Sequence, residues 1–137
     1  MVNAPQLPAT TLISECYNHM FAYCSSLIIA PELPATVLAR ACYNYMFNAC
    51  VNLTKTPALQ AYKLAERCYR GMFNNCTNIN NITMLATDIS AKECLSSWVN
   101  NVASTGTFVK HPNMNNLPTG SSGIPTGWTV EECKIVK

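Results

Sequence analysis

Apolar and polar positions along the chain recur with a period of 26 residues. Cys16-Tyr17, Cys42-Tyr43 and Cys68-Tyr69 are followed at the same interval by Met20-Phe21, Met46-Phe47 and Met72-Phe73, and then by Cys24, Cys50 and Cys76. The other half of the unit keeps the same beat: Ala4-Pro-Gln-Leu-Pro-Ala-Thr10, Ala30-Pro-Glu-Leu-Pro-Ala-Thr36 and Thr56-Pro-Ala-Leu-Gln-Ala-Tyr62. A fourth copy decays. Leu85 takes the place of the second-half leucine, Cys94 keeps the first cysteine column, and Trp98-Val99 stands where Met-Phe stood. A terminal copy that loses the pattern reads as a cap, because the last repeat of an array must stop offering an apolar stacking face.

The two halves of a unit carry different periods. Leu38, Cys42, Tyr43, Met46, Phe47 and Cys50 fall at the four-residue spacing that lines one side of a helix, with Thr10 and Thr36 upstream as N-caps. Leu27 to Leu33, Leu53 to Leu59 and Ile79 to Leu85 are instead short runs of the kind that form a brief strand and a turn. The pattern predicts an α/β repeat fold, a short leucine-rich-repeat solenoid with one strand and one helix per 26-residue unit. Residues 1–105 hold three repeats and the degenerate capping repeat, and residues 106–137 form a small irregular, β-rich C-terminal tail or cap. Strands stacking at about 4.8 Å beside helices at about 8–10 Å would curve the array and make the strand face concave.

The pattern Met-Phe-x-x-Cys-x-x-Leu followed by Pro-x-Leu-Pro-Ala-Thr resembles the BspA-like leucine-rich repeats of surface proteins from gut Bacteroides and their relatives. The resemblance covers roughly residues 4–105, specific in its Cys, Met-Phe and Pro columns. Ser104-Thr-Gly-Thr-Phe-Val-Lys110 and Gly123-Ile-Pro-Thr-Gly-Trp-Thr-Val130 resemble the stretch that commonly follows such repeats. It implies a secreted or cell-surface protein that is not an enzyme, with adhesion or ligand capture as its role. The third copy departs from the pattern, with Gln60 and Tyr62 in place of proline and threonine.

Charge narrows the partners. Nine Lys and Arg against seven Asp and Glu leave a net charge of +2 with no basic run, which argues against nucleic acid, whose phosphates call for clustered cations. The longest apolar stretch, Leu27 to Pro31, is far short of the roughly 20 residues of a transmembrane helix. Met1 to Pro5 shows neither a basic nor an apolar leader region, so either the protein stays inside or the chain is one piece of a longer exported protein.

Seven of the eight cysteines sit in repeat columns, so one explanation must serve a whole column. Eight residues along a helix place Cys16 and Cys24 about 12 Å apart, and neighbouring helices would separate Cys24 from Cys50 by about 8–10 Å, both beyond disulfide reach. All seven column cysteines are therefore expected to be reduced and buried, leaving Cys133 as the candidate for a reactive or paired thiol. Cys16 and His19, three residues apart, could face one side of a helix as metal ligands or a nucleophile–base pair. His19, however, aligns with Tyr45 and Gly71 while its cysteine recurs without it. With two histidines and one aspartate there is little material for a triad, and no catalytic residue, cofactor or metal is expected. The sequons at Asn52, Asn75 and Asn81 mean little in Asn-rich turns.

Where the copies disagree, side chains are free to recognise something. The second-half positions Ile28, Thr54 and Asn80, then Ile29, Lys55 and Asn81, then Glu32, Ala58 and Met84 differ from copy to copy. Ile29, Glu32, Lys55, Asn81 and Met84 are the candidate binding residues on the expected concave face. The function expected is a non-enzymatic binding or adhesion module, extracellular or on a cell surface, that takes a protein or glycan. The alternative is a structural spacer or assembly unit of a larger surface or phage-borne protein. The first copy has only Met1 to Ala4 ahead of Pro5, so its apolar side is expected to lack a cover and to invite self-association or a neighbouring repeat at the N-terminal end.

Overall fold

The computed structural model describes residues 6–134. Among them there is no helix: the regular elements are three short strands, β1 (Asn81–Met84), β2 (Thr107–Lys110) and β3 (Thr129–Glu132). They form one parallel sheet in the order β1-β2-β3, with Ile82 opposite Phe108 and Phe108 opposite Val130. The expected α/β architecture with a helix in each unit is therefore wrong. Each 26-residue copy is instead one coil of a stack, and the half read as a helix is a run of consecutive tight turns.

The backbone shows why. In the second coil Cys42, Asn44, Met46, Asn48 and Cys50 donate their N–H groups locally, each to the carbonyl three residues back, at 3.1–3.3 Å. The residues between them, Ala41, Tyr43, Tyr45, Phe47 and Ala49, donate to the third coil, at Glu66, Cys68, Arg70, Met72 and Asn74, over 2.7–3.0 Å. The first and third coils repeat this alternation. An α-helix would turn every donor inward to the residue four back and leave none for a neighbouring coil. Here half of the donors close turns and half bond coil to coil, so the run is satisfied without a helix.

Every fourth residue carries a positive φ: Glu15, His19 and Tyr23, then Ala41, Tyr45 and Ala49, then Arg67, Gly71 and Asn75, then Glu93, Ser97 and Asn101. A left-handed residue costs an L-amino acid roughly 1–2 kcal/mol, and the same three places bear it in each coil. The result is a four-residue beat with two side chains in and two out. Thr10 and Thr36 are not helix caps; the carbonyl of Thr10 accepts from the N–H groups of Thr36 and Val37. Without a wide helical side, the reason to expect a concave strand face also falls away.

Inside the stack, identical residues lie on one another. Tyr17, Tyr43 and Tyr69 stack with centroids 6.0 Å apart, and Phe21, Phe47 and Phe73 with centroids 5.7 and 5.8 Å apart. Trp98, fully buried in the methionine column, closes both ladders at 6.1 Å from Tyr69 and 6.2 Å from Phe73, and meets Phe108 edge-on. Its indole N–H donates to the Gly123 carbonyl at 2.9 Å, and the Trp128 indole donates to Ala103 at 2.7 Å. The tail thus continues the stack, with Ser121 and Ser122 accepting from the N–H groups of Val99 and Ser97.

Register slips once. Leu27, Leu53 and Ile79 share a buried column, as do Leu33, Leu59 and Met84, because Leu59 bridges to Met84 and not to Leu85. The fourth coil is one residue short between Ile79 and Met84 (a separation of 84 − 79 = 5 against 59 − 53 = 6). It regains the residue before Cys94, across a turn in which the Asp88 carboxylate accepts from the N–H and hydroxyl of Ser90.

At Gly71 the left-handed φ of 60° coincides with a close approach, since a Cβ there would run into the Tyr45 ring. Gly71→Ala is expected to destabilise the fold by about 1–3 kcal/mol in denaturant unfolding, and Tyr45→Ala in the same chain to recover part of that loss. An unchanged midpoint for Gly71→Ala would contradict this packing.

Candidate functional site

Outward-facing positions of the turn half are taken up by the stack itself. Asn44 donates to Asn18 at 3.0 Å and Arg70 to Asn44 at 3.0 Å; beside them Asn74 donates to Asn48 and Asn100 to Asn74 at 3.0 and 2.9 Å. Asn44 and Asn48 are buried, so these amide ladders are load carried inside the fold and not free for a ligand. Next to them Arg40 pairs with Glu66 at 2.8 Å and, across the other junction, approaches Glu15 at 3.9 Å. Glu93 accepts from Arg67 at 3.2 Å and Arg70 at 3.3 Å, and the Arg67 hydrogen bond, with the charge of both guanidinium groups, holds its carboxyl below the usual range. His19 stacks on Tyr45 at 5.2 Å and its Nδ1 lies 2.8 Å from the Asn18 side-chain oxygen, a ladder place rather than a partnership with Cys16. Among the described residues no three His, Cys, Asp or Glu side chains gather where they could hold a metal ion.

The other half of the coils presents more open surface. Ile29 and Lys55 face each other in a parallel bridge, both exposed, and Asn81 continues the same column on the next coil at the start of β1. The Asn81 amide is engaged with the Thr54 carbonyl at 3.3 Å, while Thr56 donates to the Asn81 carbonyl at 2.9 Å. Glu32 is exposed but lies in a separate depression between the first and second coils, lined by Gln6, Leu7, Pro8 and Pro34. Met84 presents no surface: the register slip puts it in the leucine column, fully buried. Of the five candidates, then, the structure joins Ile29, Lys55 and Asn81 in one strip, sets Glu32 apart and removes Met84.

A second feature escaped the reading of variable columns. Between the first and second coils Val37 donates to Thr10 and Leu12 to Val37; between the third and fourth, Asp88 donates to Tyr62 and Leu64 to Asp88. The corresponding bonds between the second and third coils are missing. Among the described residues the N–H groups of Leu38, Tyr62 and Lys63 and the carbonyls of Thr36 and Lys63 have no hydrogen-bond partner. The junction is open there, with two lobes of about 360 Å³ each, lined by Thr36, Gln60, Tyr62, Lys63 and Leu85 and by Thr36 to Leu38 with Lys63 to Ala65. On either side it closes again, through Ala30 to Lys55 at 3.0 Å and Ala41 to Glu66 at 2.8 Å. The sequence signal was the departure of the third copy at Gln60 and Tyr62, two of the residues that line the opening.

The cysteines divide by position. All eight are free, but only Cys42, Cys50, Cys68, Cys76 and Cys94 are buried; Cys16 is exposed and Cys24 half-buried, because the first coil has no coil above it among the described residues. The expectation of seven buried thiols fails for these two. The helix-to-helix spacing used to separate them also has no place in a stack whose backbones are bonded directly. Cys50 and Cys76 donate from Sγ to the carbonyls of Phe21 and Phe47 at 3.0 and 2.9 Å. Burial pushes the Cys42 and Cys50 thiols up to about 11 and those of Cys68 and Cys76 higher still, which keeps them protonated and poor nucleophiles.

No protein-family model, curated protein or solved structure matches the chain.

Thiol labelling of the native protein at neutral pH is expected to modify Cys16 first and the half-buried Cys24 and Cys133 more slowly, with the five buried thiols reacting only after unfolding. Rapid labelling of Cys68 or Cys76 in the native state would refute the buried columns. The same thiols set an alkaline limit. Their protonated form is favoured in the folded state, so their contribution is complete below the unfolded value near 9 and is lost as pH rises towards the folded value of about 11 for Cys42 and Cys50. The melting temperature is expected to fall between pH 9 and 11, and to fall less steeply in the Cys42→Ala, Cys50→Ala double variant. Equal slopes would show that other groups govern it.

Proposed function

We propose that the chain is a non-enzymatic binding module that works outside the cell or on its surface and contacts a protein or glycan through the strip of Ile29 and Lys55. The observation that carries this reading is the contrast between the two halves of the coil. In the turn half, Asn, Arg and Glu side chains are spent on coil-to-coil ladders that repeat from copy to copy. In the other half, side chains at equivalent places differ between copies and stand exposed, on a backbone fixed by the bridge from Ile29 to Lys55. A rigid frame with a variable exposed column is what an extended recognition surface requires. The resemblance of the Cys, Met-Phe and Pro columns to BspA-like repeats supports the same reading and the extracellular setting.

The alternative is a spacer or assembly role, supported by the ring and amide ladders that extend the stack coil by coil whatever the exposed column carries.

Binding to a panel of immobilised glycoproteins and extracellular-matrix proteins tests the first reading. At least one member is expected to bind saturably, and the Ile29→Ala, Lys55→Ala double variant to bind roughly tenfold more weakly with stability altered by about 0.5 kcal/mol or less for the exposed lysine. If the native protein binds no member of the panel, or the double variant binds as well as the native chain, the strip is not a recognition surface.

A further inference from the structure

The opening between the second and third coils has a chemistry of its own. In the adjoining junctions the equivalent N–H and C=O groups bond to each other, which leaves nothing to recognise. Here the N–H groups of Tyr62 and Lys63 stand across a gap from the carbonyl of Thr36, with no partner among the described residues. A ligand group that satisfies both sides must accept on one and donate on the other. A carboxylate only accepts and an ammonium only donates. A hydroxyl does both. A peptide strand also does both, but it would need two coil spacings of about 4.8 Å each, and the gap is held shut at both ends by the bonds from Ala30 to Lys55 and from Ala41 to Glu66.

The rim fits the same ligand. The Tyr62 ring is 55% exposed and touches His111 edge-on at 5.6 Å, leaving an aromatic face beside the opening. The Nδ1 of His111 accepts from the N–H of Asn113 at 3.0 Å, which holds the imidazole in place against Tyr62. The Gln60 amide and the Thr36 hydroxyl, which donate and accept, line the lobes; Lys63 lines them too, and its backbone bridges that of Asp88 on the next coil, whose carboxyl feels the lysine charge. An aromatic face with amide and hydroxyl side chains, and backbone groups that call for a donor and an acceptor together, describe a site for a polyhydroxylated ring, with Lys63 as one further donor at its edge.

We infer that the slit between the second and third coils binds a neutral saccharide unit, with one ring hydroxyl bridging the Tyr62–Lys63 amides and the Thr36 carbonyl and the sugar face lying on Tyr62. The site stands apart from the Ile29–Lys55 strip and gives the binding-module reading a ligand class.

Amide-resolved NMR of the whole chain tests this in two stages. Without ligand, the amides of Leu38, Tyr62 and Lys63 are expected to exchange with solvent about 100-fold faster than their bonded counterparts Leu12, Leu64 and Asp88. Equal protection would mean that the junction is closed, and would overturn the site. The methyl glycosides of glucose, galactose, mannose and N-acetylglucosamine are then titrated in turn, with sodium acetate and N-acetylglycinamide as probes for a carboxylate and a peptide group. At least one glycoside is expected to move the Tyr62 and Lys63 amide signals saturably, and Tyr62→Ala, whose side chain is outside the core, to weaken that binding roughly tenfold. No saturable shift with any glycoside, an equal response to acetate or to the amide, or full binding by Tyr62→Ala would each overturn the proposal. The Ile29→Ala, Lys55→Ala variant separates the two sites: glycoside binding unchanged there supports the slit as independent, whereas its loss there and not in Tyr62→Ala would leave the strip as the only binding surface.

Discussion

The backbone hydrogen bond from one coil to the next fixes the rest of the molecule. Once alternate N–H groups, from Ala41 to Ala49, are committed to carbonyls of the following coil, the intervening residues can only close turns on themselves, and a left-handed residue must come every fourth place. The same bond sets the separation of equivalent residues. At that separation identical rings lie flat on one another, amides meet amides and a cysteine meets the cysteine column above it. The side-chain ladders follow from the backbone ladder, and they repay its left-handed strain with ring stacking and paired amides.

A stack held in this way is sensitive to any coil that changes length or residue type. The fourth coil loses one residue before Met84 and regains it after Asp88, and the slip stays local because the buried columns on either side hold their register. Trp98 then ends both aromatic ladders with one ring, and the tail accepts from the donors that a fifth repeat would have taken. The third coil keeps its length but changes Pro and Thr to Gln60 and Tyr62, and the junction beneath it stays unbonded over a short stretch. Unpaired backbone groups beside an exposed ring are costly unless water or a ligand satisfies them. That cost is the physical reason to look for function there.

Much of this was legible in the residues themselves. The 26-residue period, the pairing of equivalent positions between copies and the inward set of Cys, Tyr, Met and Phe all follow from the sequence, because side-chain identity in register needs no knowledge of the backbone path. So does the oddity of Gln60 and Tyr62, although the sequence alone attached no opening to it. What misled was the four-residue spacing. Over the eight steps from Cys42 to Cys50, a helix of 3.6 residues per turn and a turn run of four differ by less than a quarter turn, so the apolar pattern cannot separate them.

Tertiary structure alone decided where the backbone donors go, and that choice is made between coils rather than within one. A single copy has only local bonds to draw on; stacked copies gain coil-to-coil bonds, ring ladders and amide ladders together, and these depend on residues 25 or 26 places away. The same non-local pairing decided that Met84 and not Leu85 fills the leucine column, that Cys16 is exposed while Cys42 is buried, and that one junction remains open. Sequence fixed which residues repeat; the contacts between repeats, which no local window contains, fixed how the chain turns and which of its groups are left for a partner.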